Sequence, residues 1–455
     1  MSEIIKLQKK NEVFFNVECD MGVGFELNDF FSFFVPGYQH MPLFKMRAWD
    51  GKVSLYNQYK QELYIGLYDH IKEFCKARQY TLELVESAAY GLPGVESNIL
   101  LDDVTDYVNS LKPDNLELRE YQVSAIYNAI RYKRKTILSP TASGKSFIIY
   151  CITKYILDNN DGNVLIVVPT TSLVLQMLGD FKSYGWNTAE DEIHTIMGGH
   201  EKRNNCRVVI STWQSLMKMP TQWFSAFDGV FIDECHTSKS KEMQKLLEKM
   251  VNTSYRYGTT GSLDNTKTHS MMIQAVLGPI MKVTTTRKLI DDGHVSDIDI
   301  QVVVLDYSKD TKALLKKIDY QQEIDFIVAH DRRNKFLRNL ALSMDGNTLL
   351  LFNYVDKHGK VLFDMIKEKA GDRNIFFVHG QVEATAREEV RKLTEDSGLV
   401  TVTMEFGDKK IEVLYNEIIP LTNGTKKIAV DITVDDDIDT TYLINNGINM
   451  NKDVI

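Results

Sequence analysis

Two short stretches carry residue types in an order suited to phosphate chemistry. Ser139-Pro140-Thr141-Ala142-Ser143-Gly144-Lys145-Ser146 follows the apolar segment Thr136-Ile137-Leu138 and precedes an apolar run at helical spacing. A strand, a loop of small residues and a helix in that order put backbone N–H groups and a helix N-terminus around an anion. Thr141, Ala142, Ser143 and Gly144 would supply the cradle, Lys145 would neutralise the β and γ oxygens of a bound triphosphate, and Ser146 would offer a hydroxyl to Mg²⁺. Ser139 stands where the G-x-x-x-x-G-K-[ST] pattern has its first glycine. Taken alone, the octapeptide also reads as a polar turn capping a helix.

The second stretch is Asp233-Glu234-Cys235-His236, directly after Val230-Phe231-Ile232. Two adjacent carboxylates at a strand end can divide one task. Asp233 would hold Mg²⁺, and Glu234 would orient and deprotonate an attacking water. A solvated acidic turn beside a satisfied His236 is the competing reading of the tetrapeptide by itself. Both stretches lie at strand ends of one alternating segment, and that joint placement points to a nucleoside triphosphate site.

The elements that position them begin at Leu116. A helical stretch (ELREYQVSAIYNAIRYKR) leads into Thr136–Leu138, and further apolar runs follow at 164–168, 208–210 and 230–232, separated by helical segments. Short buried strands alternating with helices predict an α/β fold, a parallel sheet with helices on both faces. Ligands bind such sheets at the carboxyl ends of the strands. A second alternating block starts near Thr348-Leu349-Leu350-Leu351-Phe352 and continues through Ile375-Phe376-Phe377-Val378 to a helix over 383–393. Before residue 90, Pro36-Gly37 and Asp50-Gly51 turn signals and helical spacing in 64–75 predict a small α+β domain. Residues 397–455, with 5 Lys+Arg against 10 Asp+Glu, read as a β-rich tail.

At 455 residues the chain is too long for one core, and 44% hydrophobic with 25% charged residues is globular composition. The N-terminus lacks the apolar core of a secretory signal, and no apolar run reaches the ~18 residues of a membrane span. Five cysteines, never spaced C-x-x-C, exclude a zinc ribbon and fit free thiols in a cytoplasmic, reducing compartment. A net charge of −9 confines any DNA or RNA contact to a local patch. Lys45, Arg47 and Lys52, around Trp49, are the cations for it, while Phe30-Phe31-Ser32-Phe33-Phe34 reads more readily as core.

LREYQ (118–122), SPTASGKS, VPTTSLVLQ (168–176), STWQS (211–215), DECH and TTGS (259–262) resemble the ordered motifs of superfamily 2 DNA helicases. RAWDGK (47–52), LLLFNYVDKHGKVLFD (349–364) and FFVHGQVEATAREEV (376–390) resemble the recombination helicases of T-even phages in particular. The likeness covers roughly residues 1–396. It implies an N-terminal accessory, DNA-binding domain over 1–90, a RecA-like ATP-binding lobe over 110–284, and the start of a second RecA-like lobe over 285–396, ahead of the divergent tail 397–455. It implies that Gln122 reads adenine and that His236, Thr260 and Ser262 couple nucleotide state to DNA. Thr170, Thr171, Thr212 and Gln214 would line the strand-binding face, where small hydroxyls hold phosphate without reading bases. For the threonines, helix capping is the competing reading. ATP, Mg²⁺, branched or single-stranded DNA, and a host-cell cytosol are the implied cofactors, substrate and compartment.

One family feature is missing. The arginine helix of the second lobe, Q-x-x-G-R-x-x-R, does not follow residue 396, and Arg391 is the last arginine. An intein-like interruption opening at Ser397 leads the explanations, ahead of truncation with an unrelated tail and of a divergent end to the second lobe. Partners that follow are a complementary C-terminal fragment or a single-strand-binding protein. Without the finger, the rival function is a nucleotide-gated DNA-binding protein that does not turn over.

Overall fold

The computed structural model describes residues 3–197, 206–236, 241–263, 266–295, 298–303, 305–344 and 347–396, with short stretches at 403–404, 413–414 and 426–430. It divides into two compact units, Met1–Thr285 and Thr286–Ile455.

The first unit opens with β1 (Ile4–Lys9) and β2 (Phe14–Glu18), paired antiparallel. Alternation sends Ile5, Leu7, Phe15 and Val17 inward, all fully buried. After the helix Met21–Phe30, β3 (Ser32–Phe34) and β4 (Lys52–Ser54) pair across the insertion that carries Lys45, Arg47 and Trp49. Then come β5 (Tyr56–Asn57), β6 (Glu62–Tyr64), the helix Tyr68–Arg78 and β7 (Thr81–Val85), closing a sheet ordered β5-β6-β2-β1-β7. The helix expected from residue 64 begins at Tyr68, after a 3₁₀ turn over Ile65–Leu67. Of the FFSFF run, Phe31 is core, whereas Phe34 is half exposed and stacks on Tyr38 at 4.7 Å.

A larger sheet follows: β8 (Arg134–Leu138), β9 (Asn163–Val168), β10 (Ile193–Ile196), β11 (Val208–Thr212), β12 (Phe227–Ile232), β13 (Tyr255–Thr260) and β14 (Ile280–Lys282). Its seven strands run in the order β10-β11-β9-β12-β13-β8-β14, every neighbouring pair parallel. Strand β9 shows why the runs are continuous rather than alternating. Val164, Ile166 and Val168 pack against the helices Glu120–Tyr132, Lys145–Asn159 and Thr171–Ser183, while Leu165 and Val167 pack against Lys241–Glu248 and Lys267–Leu277. Both faces are covered, so both parities are apolar.

The two sheets share a core. Met271 and Ala275, from the helix Lys267–Leu277, sit among the buried residues of the N-terminal sheet. Composition alone marks residues 1–90 as a separate body; the structure packs them into one compact unit with the large sheet.

In the second unit, the helices Lys309–Leu315, Tyr320–Ala329, Asp331–Ser343, Lys360–Lys367 and Ala384–Asp396 follow β15 (Ile298–Val302). Arg333 is buried and donates to His358 Nε2 at 3.0 Å, and Asn334 donates to the Val328 carbonyl. The strands expected at 348–352 and 375–378 do not join a ladder among the described residues. Their apolar residues are satisfied instead by ring packing, Phe352 on Phe377 at 5.3 Å and Phe377 on Phe363 at 5.1 Å. A strand needs a hydrogen-bonded neighbour as well as an apolar face. In the tail, β16 (Thr403–Met404) pairs antiparallel with β17 (Val413–Leu414), and β18 (Lys426–Val430) pairs parallel with β15. The remainder of the expected β tail, Ser397 included, lies outside the described residues.

Candidate nucleotide site at the carboxyl edge of the sheet

Parallel register brings the chemistry-bearing loops to one edge. Thr260 of β13 lies beside Leu138 of β8, Ile232 of β12 beside Val167 and Gly258, and Thr212 of β11 beside Val168. The loops after these strands therefore open on the same side.

The loop after β8 is tightly folded. Ser139 Oγ and Ser143 Oγ share a hydrogen bond at 2.6 Å, and Ser143 Oγ donates to the Pro140 carbonyl at 2.5 Å. Gly144, at φ 82°, starts the helix Lys145–Asn159, and a β-carbon there would stand 2.3 Å from Gln122 Nε2. Only glycine meets both demands. Gln122 is buried, donates to the Ser143 carbonyl at 3.0 Å and accepts from the Arg119 amide at 3.1 Å. Arg119 donates to the Ala142 carbonyl at 3.0 Å, and Tyr121 to that of Ser143 at 3.2 Å. The LREYQ segment thus clamps the loop from behind. Sequence reading singled out Gln122 here and passed over Arg119 and Tyr121, whose only signal was their adjacency to it.

Lys145 Nζ lies 2.7 Å from Glu234 Oε1. Glu234 Oε2 lies 3.2 Å from His236 Nδ1, which in turn sits 2.8 Å from Thr260 Oγ1. Thr260 donates to the carbonyl of Ser262 at 2.9 Å, so Ser262 meets this chain of contacts through its backbone. The backbone of Glu234 is held at φ 48°, a left-handed conformation that costs roughly 1–2 kcal/mol for a residue with a β-carbon. Asp233 is buried and accepts from Thr259 Oγ1 at 2.7 Å. Thr259 was missed by the sequence reading; strand alternation sends it and Thr260 to opposite sides, each to a different acidic-motif partner.

Charge follows burial. Desolvation acts to raise the Glu234 carboxyl, but the hydrogen bond from His236 and the Lys145 ammonium overcome it and bring the pKa down to about 2. Asp233 goes the other way: burial pushes it up, with the Lys145 charge opposing and the Glu234 charge adding. Burial works against the Lys145 ammonium, yet the two carboxylates hold its pKa above the ordinary lysine value. An ammonium, two carboxylates, an imidazole and two threonine hydroxyls thus converge at one edge. Such a set can neutralise phosphate oxygens, offer hard oxygen donors to a small divalent cation, and accept a proton from water. Ser146 is turned elsewhere, its Oγ 2.8 Å from the Tyr184 hydroxyl.

Residues 115–264 match the family model described as type III restriction enzyme, res subunit. Residues 4–85 match the one described as DNA helicase UvsW, N-terminal. The ATP-dependent DNA helicase UvsW of Enterobacteria phage T4 is 32% identical over 434 residues, covering 92% of this chain and 84% of the relative. The chain belongs to the UvsW helicase family. As a member it is an ATP hydrolase of the superfamily 2 helicase type. The matched share exceeds what residues 1–396 provide, so the similarity to UvsW continues past Asp396. Two crystal structures of T4 UvsW agree in fold with it. One, 30% identical, gives a TM-score of 0.56 over 62% of this chain and 100% of its own. The other, 29% identical, gives 0.56 over 89% of this chain and 80% of its own.

The strand-face residues expected from UvsW-type motifs separate into two groups. Thr170 is exposed, and its hydroxyl caps the helix Thr171–Ser183 by accepting from the Leu173 amide at 3.3 Å. Thr171 is half-buried at the helix start, and Gln214 is exposed. Thr212 differs from these in exposure. It is buried, 5% exposed, with its hydroxyl 3.0 Å from Ser215 Oγ, because its side chain closes the turn after β11 and is taken off the surface. In the N-terminal insertion Lys45 and Arg47 are exposed and, with Phe44 and Trp49, line a cavity of about 640 Å³. Lys52 is half-buried over the Phe34 ring at 5.1 Å, and Trp49 Nε1 donates to its carbonyl at 2.7 Å. No helix among the described residues is long and apolar enough to cross a membrane.

Proposed function

We propose that the chain is a cytoplasmic ATP-driven motor acting on branched DNA (forks, Holliday junctions and R-loops) in recombination, replication and repair. The observation that carries this is the continuous link Lys145–Glu234–His236–Thr260 across three strand ends.

In this reading the triphosphate enters the loop 139–146 and takes Lys145 for its β and γ oxygens. Glu234 then loses its nearest cation, its basicity rises, and it accepts the proton of the attacking water. A base held near pKa 2 by an ion pair is a poor base; the substrate itself relieves it. Asp233 and the hydroxyl of Ser146, turned from Tyr184, are oxygen donors of the kind Mg²⁺ prefers, and the cation would neutralise phosphate charge there. Gln122 retains one N–H and one lone pair for an adenine edge. Thr170, Thr171 and Gln214 would touch the strand, and Lys45, Arg47 and Lys52 the duplex arms.

A second reading rests on one sequence fact, the absence of arginine after Arg391. If no such cation reaches the γ-phosphate in cis or in trans, nucleotide and DNA would be bound with little turnover, since a γ-phosphate arginine is worth roughly 10³–10⁵ in rate. Pairing of Lys426–Val430 with Ile298–Val302, and similarity continuing past Asp396, support a tail that belongs to the second lobe over an intein-like interruption.

Phosphate release by the purified chain, with and without forked duplex, tests the proposal. Stimulation by the fork, weakened when Lys45 and Arg47 are both changed to alanine, is the expected result. Nucleotide binding without fork-stimulated release supports the gated binder instead.

A further inference from the structure

The helix Lys267–Leu277 belongs to two cores at once. Met271 and Ala275 pack with Ile5 and Phe15 of the N-terminal sheet and with Leu67 of the 3₁₀ turn, whereas Ile273, Val276 and Leu277 pack with Leu165 and Val167 of the large sheet and with Leu247 of the helix Lys241–Glu248. Its backbone is in direct contact with Gly66, where an added β-carbon would stand 1.9 Å from the Gln274 carbonyl. His70 Nε2 donates to Gln274 Oε1 at 3.3 Å. Alongside, the Glu12 amide donates to the Val251 carbonyl at 2.8 Å, and Arg134 donates to the Glu12 carbonyl at 2.8 Å and pairs with its carboxylate at 3.2 Å.

The first turn of the same helix reaches the nucleotide site. His269 is 5% exposed, and its Nε2 lies 3.0 Å from the carbonyl oxygen of His236. A carbonyl only accepts, so Nε2 carries the proton. The backbone of His236 is thereby tied to the helix, while its ring contacts Glu234 and Thr260. Next to His269, Thr268 Oγ1 lies 3.5 Å from the carbonyl of Phe34, at the end of the strand that opens the basic insertion.

We propose that His269 is a positioning residue that transmits the state of the nucleotide site to the N-terminal sheet and its cationic insertion. The proposal rests on the nucleotide-site reading given above. Removing Lys145 from Glu234 changes the charge that Oε2 presents to the His236 ring, and the segment carrying that ring adjusts. Through the His269 bond the first turn of the helix follows. A helix close-packed on both sides moves as a rod, because dense interiors transmit strain instead of absorbing it. The insertion between β3 and β4 therefore has two arrangements, one for each state of the site. Linkage makes the effect reciprocal, so DNA on the insertion must alter nucleotide affinity by the same factor.

The test uses the full chain and forked duplex, with and without a non-hydrolysable ATP analogue. In the wild type the analogue is expected to change DNA affinity by roughly 5- to 150-fold. In His269→Ala that factor falls to near 1, while the KM for ATP and the DNA-free kcat stay within about twofold. His269→Gln, which keeps a side-chain N–H, restores part of the factor. A merely structural role would lower melting temperature without abolishing the coupling. Hydrogen exchange on the wild type gives a reading independent of any variant's folding. Saturating analogue is expected to change protection in Lys267–Leu277 and across residues 30–57. A wild type that binds the analogue with unchanged exchange there, or a His269→Ala chain with the wild-type coupling factor, overturns the proposal. A wild type that binds no analogue overturns the nucleotide-site reading first.

Discussion

Lys145 and Glu234, 89 residues apart in sequence, hold each other across 2.7 Å at the meeting of two strand ends. Each is largely buried, so neither charge is left to water: the side chains are 16% and 21% exposed. Breaking such a pair from one side alone typically costs about 3–5 kcal/mol, because the remaining charge is stranded. A phosphate that claims Lys145 would leave Glu234 with His236 as a remaining close partner, at 3.2 Å, and the proposed mechanism turns on that exchange.

Glu234→Gln keeps shape and removes the proposed base. Turnover of ATP is expected to fall ~10²–10⁴-fold, the usual worth of a general base, with nucleotide affinity retained. Lys145→Ala should lose affinity and turnover together. Phosphate release and titration with a fluorescent nucleotide separate the two, and a Glu234→Gln chain within threefold of wild type would remove Glu234 from its role.

The same pair predicts an acid limb of stability. Glu234 has its pKa lowered from 4.5 to about 2, so it binds fewer protons in the folded chain than in the unfolded one across that window. Its contribution is complete above about pH 4.5 and disappears as pH falls through about 2. Urea midpoints of wild type and Glu234→Gln, measured from pH 7 down to 3, should converge as pH drops. A constant gap across that range would show that the pair adds no pH-dependent stability.

Much of this edge was legible because its signals are local. The loop 139–146 and the acidic motif are contiguous stretches, and β9 and β12 are covered on both faces, which leaves short apolar runs whose length and spacing between helical segments mark them as strands. What escaped depends on residues far apart in the chain. Thr259 earns its place through Asp233, 26 positions away, and His269 through His236, 33 away. Tyr184 meets Ser146 across 38 residues. The joined core of the two sheets escaped for the same reason, since Met271 and Ala275 look like any apolar helix face until the N-terminal sheet covers them. Thr348–Phe352 failed in the opposite sense: its apolar pattern was right, but pattern does not supply a ladder partner.

Tyr184→Phe tests whether the serine hydroxyl is held in reserve. The ring that packs on Phe147 and Tyr150 is kept, and only the oxygen 2.8 Å from Ser146 Oγ is removed. Freed from that partner, Ser146 should serve a cation more readily, and half-maximal ATPase should need about 2- to 10-fold less Mg²⁺, the equivalent of one hydrogen bond of ~0.5–1.5 kcal/mol. A Mg²⁺ titration of steady-state turnover decides it, and an unchanged or raised requirement rejects the idea.

Gly66→Ala probes the seam between the N-terminal sheet and the motor lobe. The added carbon would lie 1.9 Å from the Gln274 carbonyl and 2.7 Å from that of Ala275, and backbone cannot turn aside as a flexible side chain would. The 3₁₀ turn Ile65–Leu67 must move off the helix, opening the core that Met271 and Ala275 share with Leu67. Overpacking of this kind costs ~1–3 kcal/mol. Gly179→Ala is the contrasting change: it lies inside the helix Thr171–Ser183 with nothing within 4 Å of the new carbon, and alanine there should stabilise by ~0.5–1 kcal/mol. Urea unfolding of both variants measures the two signs. A Gly66→Ala chain as stable as wild type would mean that the seam yields freely, and the helix Lys267–Leu277 would then be no rigid link between the sheets.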